Sequence, residues 1–175
     1  TTAFNLHITE NPRPIIKEIL NNRLKENHKL ITDFGAIVQE ILNKKAKIGL
    51  AVQIPKLNQS RIDGLVGRLT GEDFEESKWL LGSPIVNFSQ SVVDDMIRKN
   101  AEFHYNSGLK PKVVRKEAGN CCKWCKSLVG TYSYPEVPKD VYRRHQNCRC
   151  TVEYFPKKGV RQDVHTKQIK FDEKL

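Results

Sequence analysis

All five cysteines of this 175-residue chain lie between positions 121 and 150. They fall into two short strings. Cys122-Lys123-Trp124-Cys125 is a C-x-x-C knuckle with Cys121 directly before it, and His145-Gln146-Asn147-Cys148-Arg149-Cys150 begins 20 residues after Cys125. A tight turn of the first kind lets two thiolates approach one ion. Tetrahedral zinc takes four nitrogen or sulfur ligands, commonly a pair from each of two knuckles. Cys148 and Cys150 are two apart, so on a strand both side chains face the same way. The spacing predicts one zinc held by Cys122, Cys125, Cys148 and Cys150. His145 is the alternative to one of the last pair, and Cys121 is a substitute for Cys122. Four protein ligands leave no open position for a catalytic water, so the expected purpose is structural.

Two other readings of the thiols stand beside this one. The two pairs form disulfides in an oxidising compartment, or the cysteines pack as small buried hydrophobes. An odd number of cysteines clustered in 30 residues argues against a secreted disulfide scaffold, which would spread its bridges along the chain. A thioredoxin-like redox role needs a βαβ context that the flanking pattern lacks. Residues 111–160 also carry few large apolar side chains, and metal binding can supply the missing folding free energy, on the order of 10 kcal/mol.

Beside the candidate ligands sits Tyr142-Arg143-Arg144-His145. Guanidinium forks match phosphate oxygens, so Arg143, Arg144 and Arg149, together with Arg115 and Lys123, are candidate nucleic-acid contacts, for DNA or RNA. Lys112 and Lys116 extend the set. The charge distribution agrees: from residue 111 onward there are 15 Lys/Arg against 7 Asp/Glu, whereas residues 1–110 carry 15 against 13. The competing reading is a solvated basic face. A sharper reading makes His145 a general base in nucleic-acid cleavage, with Arg143 or Arg144 stabilising the developing charge: a small basic nuclease or toxin. Against it stands His145 as a zinc ligand or a neighbour of one. His7, His28, His104 and His165 are scattered and carry no signal, and Asp94-Asp95 reads as solvated or bridged to Arg98 and Lys99.

The elements that must position these residues change character along the chain. Residues 1–12 read as an arm. Ile16, Ile19, Leu20 and Leu24 recur at helical spacing, and a second stretch carries Ile31, Phe34, Val38, Ile41 and Leu42 before Lys44, Lys45 and Lys47. Gly49 to Pro55 is a short extended piece, and Ile62, Leu65, Val66 and Leu69 make a further helix closed near Gly71. Residues 72–78 are loop-like, and Trp79, Leu80 and Leu81 read as core. Ser83-Pro84 opens a long helix near 85–106 with Phe88, Val92, Met96 and Phe103 on one face, stopped at Gly108. After Pro111 the period switches. Lys112–Lys116, Leu128–Tyr134 and Cys150–Phe155 read as strands, and Asp140 opens a short helical turn through Tyr142. The expected class is therefore α+β: a helical N-terminal part followed by a small Cys/His-stapled module with short strands. In segments, this is a mainly helical region 1–108, a zinc-binding α+β module 109–160 and a basic tail 161–175. No apolar run is long enough to span a bilayer, and no signal-peptide pattern opens the chain, so no membrane is expected.

Three strings carry a resemblance: Asn87-Phe-Ser-Gln-Ser-Val-Val-Asp-Asp-Met-Ile-Arg-Lys-Asn100, Cys121-Cys-Lys-Trp-Cys125 with Gly130-Thr-Tyr, and Val141-Tyr-Arg-Arg-His-Gln-Asn-Cys-Arg-Cys-Thr-Val-Glu-Tyr154. They resemble phage minor head proteins of Gram-positive prophages, within the wider Mu F-type head-morphogenesis family. The resemblance spans residues 11–170 and is most specific in the last third. It implies a minor capsid component made in the host cytoplasm, placed near the portal and carried in the virion, with portal or capsid proteins as partners. Some family members carry toxin or enzymatic domains at one end. The chain departs from the family in its extra Cys121 and in having Arg144 where a proline often precedes the histidine.

Overall fold

The computed structural model describes residues 13–162, apart from 72, 120 and 146. The expected arm 1–12, the tail beyond Gln162, and His7 and His165 lie outside the described residues. The architecture is α+β, with helices in the first part and a four-stranded antiparallel sheet in the last.

The two apolar stretches expected at the start form one helix, α1 (Arg13–Lys45, 33 residues). The polar run between them holds no Gly or Pro, so nothing breaks the backbone ladder, and Lys25, Glu26 and Lys29 face solvent. One continuous helical phase has a cost for the expected faces. Leu24 and Val38 are buried, with Leu20 and Ile31 beside them, but Ile19 and Phe34 rotate outward and are 53% and 54% exposed. An extended segment then leads to α2 (Gln59–Gly71). Asn100 holds this segment in place as a strand partner would: its Oδ1 accepts from the Gln53 N–H at 2.9 Å and its Nδ2 donates to the Gln53 carbonyl at 2.8 Å. The expected loop 72–78 contains a short helix, α3 (Phe74–Ser77), followed by a 3-10 turn, Lys78–Leu81. Of the three side chains expected in the core there, only Leu80 is buried; Trp79 and Leu81 are exposed.

The spine of the molecule is α4 (Ser83–Asn106), which has proline in its first turn. Its N-terminal half presents Phe88 and Val92 to Leu24 of α1 and to Ile62 and Val66 of α2. Its C-terminal half presents Ile97 and Ala101 to Val113, Val152 and Tyr154 of the sheet and to Val141 beside it. The i+4 series Phe88, Val92, Met96 continues through polar residues, Asn100 and His104, both fully buried. His104 carries no signal in the sequence, yet it is a buried polar member of this core. Its Nδ1 faces the Tyr154 hydroxyl at 2.5 Å, and burial lowers its pKa.

The sheet comprises β1 (Lys112–Lys116), β2 (Gly130–Ser133), β3 (Thr151–Lys157) and β4 (Val160–Gln162), in the order β2-β1-β3-β4. In β1, Val113 and Arg115 point into the interior, while Lys112 and Val114 lie on the opposite face. Two short elements lie between the strands: α5 (Lys123–Ser127), which begins within the first knuckle and contains Cys125, and a 3-10 turn at Lys139–Tyr142. Strand β4, which takes in Arg161 and Gln162 from the start of the expected tail, pairs with β3 through the turn at Gly159, whose φ of 77° suits glycine. Gln162 is buried because it joins a polar triad: Gln39 Nε2 donates to Gln162 Oε1 at 2.6 Å, and Gln162 Nε2 donates to Asn43 Oδ1 at 3.0 Å. The edge of the sheet is thereby tied to the end of α1.

Candidate metal centre

The first knuckle is built by the start of α5. Cys122 has extended backbone angles and caps that helix, its Sγ accepting the Cys125 N–H at 3.4 Å. This N–H···S bond favours the Cys122 thiolate and holds its pKa below that of a free thiol. Cys125 follows inside the helical turn and is buried. The second string is a tight turn in which the Cys148 N–H donates to the His145 carbonyl at 3.1 Å and Asn147 adopts φ 59°. It is fastened to the start of α4: Asn87 Nδ2 donates to the His145 carbonyl at 2.6 Å, and the Asn147 N–H donates to Ser83 Oγ at 2.9 Å. From there the chain runs through Cys150 into β3. The two strings meet because β1 and β3 pair, which brings the ends of both strands to one corner.

At that corner the described residues contain two groups of ligand atoms, each within a 4.8 Å span: Cys122, Cys125 and His145, and Cys125, Cys148 and Cys150. Cys125 belongs to both. Its Sγ lies 3.8 Å from Cys148 Sγ and 2.9 Å from His145 Nε2, which is 3.4 Å from Cys122 Sγ. Two sulfurs bound tetrahedrally at the usual zinc distance are about 3.8 Å apart, and a sulfur–nitrogen edge is about 3.5 Å. The Cys125–Cys148 and Cys122–His145 separations match these edges, the Cys125–His145 separation is shorter than one, and the donor set would suit a thiophilic ion such as zinc. All five cysteines are free thiols. Cys121 stands apart. Its thiol donates to Glu117 at 3.0 Å, a bond that pushes its pKa up to about 11, and it is absent from both ligand groups.

Burial pushes the Cys125 thiol up to about 12, so this position holds a neutral thiol until a cation arrives. Burial also works against the Cys148 thiolate, but the Cys150 N–H, Cys125 and the charge of Arg144 outweigh it and the net shift is downward. A divalent ion reverses this local logic and deprotonates a coordinating thiol outright.

The arginines expected at a nucleic-acid surface divide. Arg115 is 1% exposed. Its guanidinium donates to the carbonyls of Val141 and Arg143, lies 3.7 Å from both Cys125 Sγ and Cys148 Sγ, and sits 5.6 Å from the centre of the Trp124 ring. Arg144 forms a two-pronged pair with Asp94, at 2.5 and 2.8 Å, and also donates to the Cys150 carbonyl. Its side chain is 2% exposed and that of Asp94 is 1% exposed. One expectation is corrected here and another is met only in part: Asp95 bridges to Arg98. Arg115 and Arg144 have interior side chains and are not surface contacts, and Asp94 pairs with Arg144, 50 residues away. Lys123, Arg143 and Arg149 do lie at the surface, with Arg143 bridged to Asp140. Sequence reasoning missed Arg115 and Asp94 as supports of the site. Alternation along β1 was the one signal for the first, since it puts Arg115 on the same side as Val113.

No protein-family model, no curated protein and no solved structure matches the chain. No helix among the described residues is long and apolar enough to cross a membrane.

Proposed function

We propose that the chain is a minor head component of the head-morphogenesis type, assembled in the host cytoplasm and carried in the virion. In this reading its C-terminal module is stapled by one zinc and contacts DNA or the portal. The three motif strings support the assignment, and the corner of five donors supports the staple. The observation that carries the ligand choice is Arg115. A zinc with four thiolates would hold a net charge of −2 in a mostly buried corner. Zinc with Cys122, Cys125, Cys148 and His145 would hold −1, which the adjacent guanidinium neutralises, and buried charge is tolerated when it is paired in this way. Cys150 then packs as a small apolar side chain.

The geometry favours this reading over cleavage. His145 Nε2 faces two sulfurs, and Arg144 is committed to Asp94 and the Cys150 carbonyl. A general base needs a free nitrogen within reach of its substrate. The test is particle composition. In an induced lysogen carrying the gene, the wild-type chain should be found in purified heads, and the Cys125→Ser/Cys148→Ser variant should be lost from them. A chain confined to the host cytosol and absent from heads would refute the assignment, and cleavage of nucleic acid that survives metal removal would favour the nuclease.

A further inference from the structure

The outer face of the sheet, away from α4, holds a groove of about 520 Å³. Its floor is Val114 of β1, Thr131 of β2 and Phe155 of β3, which the strand register places side by side: Val114 pairs with Thr131, and Phe155 pairs with Lys112. Phe155 is half-buried in that floor. The rim is lined by Lys110, Lys112, Lys157 and Lys158. None of these four lysines has an ion-pair partner among the described residues. Further along the same face, Lys116 and Arg161 share a single carboxylate, Glu153, at 2.9 and 2.6 Å. Among the described residues, those named on this face are six cations and one anion.

The cleft lined by Arg98, Arg143 and Arg144 is the obvious rival. There Arg98, Arg143 and Arg144 are already held by carboxylates, Asp95, Asp140 and Asp94 respectively, and Arg61, which also lines the cleft, donates to Ser91 Oγ, with Lys139 at its edge. The larger group of cations without an ion pair is on the sheet.

We infer that this groove binds single-stranded nucleic acid, a base stacking on Phe155 and the lysine rim following the phosphates. An aromatic platform flanked by basic residues suits a strand whose bases are free to stack, and stacking adds little for a closed duplex. The inference rests on the reading that the module contacts nucleic acid, and moves that contact from the Arg143–Arg149 segment to the sheet.

The test is fluorescence anisotropy on the full zinc-loaded chain with a labelled single-stranded oligonucleotide of about 12 nucleotides, its duplex form and anionic vesicles as three probes. The single strand should bind best, with affinity falling steeply as salt rises. Lys112→Glu/Lys158→Glu should weaken it more than tenfold and flatten the salt dependence. Phe155→Leu should weaken the single strand by about 5- to 150-fold and leave the duplex unchanged, with Phe155→Tyr restoring binding. Lys112 and Lys158 are exposed, so the charge variant tests the groove without disturbing the core. If binding survives these changes but is lost in Arg143→Ala/Arg149→Ala, the groove is overturned and nucleic-acid contact stands. Equal binding of single strand and duplex, or preference for vesicles, also overturns it. If no nucleic acid binds at low salt, both ideas fall.

Discussion

Asp94 and Arg144 form an ion pair with both side chains almost fully enclosed, and Arg144 also anchors the Cys150 carbonyl. Removing one partner leaves the other charge buried and alone, which costs about 3–5 kcal/mol. Asp94→Ala should lower unfolding free energy by that amount in urea titrations, and Asp94→Leu/Arg144→Met should recover much of it. Arg115 supports the site differently. Its planar fork reaches two carbonyls and two sulfurs at once, and an ammonium cannot. Arg115→Lys should therefore weaken metal affinity by about 10- to 100-fold in chelator competition, the usual scale for a residue that orients ligands. The candidate ligands were legible in the sequence because the spacings 122/125 and 145/148/150 are local. The supports were not. Arginine and aspartate read as solvent-facing until the fold brings residue 94 to residue 144, and no local pattern encodes that meeting.

Helices α1 and α4 cross closely at Gly35, where an added Cβ would collide with the Met96 thioether. Methionine is adaptable, so a single methyl can be accommodated, and the better helix propensity of alanine offsets part of the cost. A branched side chain cannot be absorbed so easily. Gly35→Val should destabilise the protein by about 1–3 kcal/mol by overpacking. Gly35→Ala should stay within about 1 kcal/mol of wild type in the same denaturant experiment. The amphipathic pattern announced α2 and α4, and the switch to alternation after Pro111 announced β1 and β3. The union of two helical stretches into α1 was hidden by the polar residues 25–29, which break the apolar stripe without breaking the helix. Strand β4 was hidden because three residues, Val160, Arg161 and Gln162, are too few to show a period, and its burial depends on Gln39 and Asn43, more than 100 positions earlier.

Across the whole molecule, α4 joins two apolar clusters, one with α1 and α2 and one with the sheet, while the cysteine corner forms a third. The α+β class followed from periodicity alone. The chemical logic of the corner did not, because it depends on the charge of Arg115 beside Cys125 and Cys148. That corner has few apolar side chains of its own, so the metal should carry much of the module's stability, and chelation should loosen the sheet before the α1–α2–α4 cluster. The most direct test of the account is elemental analysis with X-ray absorption on the chain purified without chelator. The account predicts about one zinc per chain, bound by three sulfurs and one nitrogen. Absence of stoichiometric metal, together with two disulfides among Cys122, Cys125, Cys148 and Cys150, would contradict it.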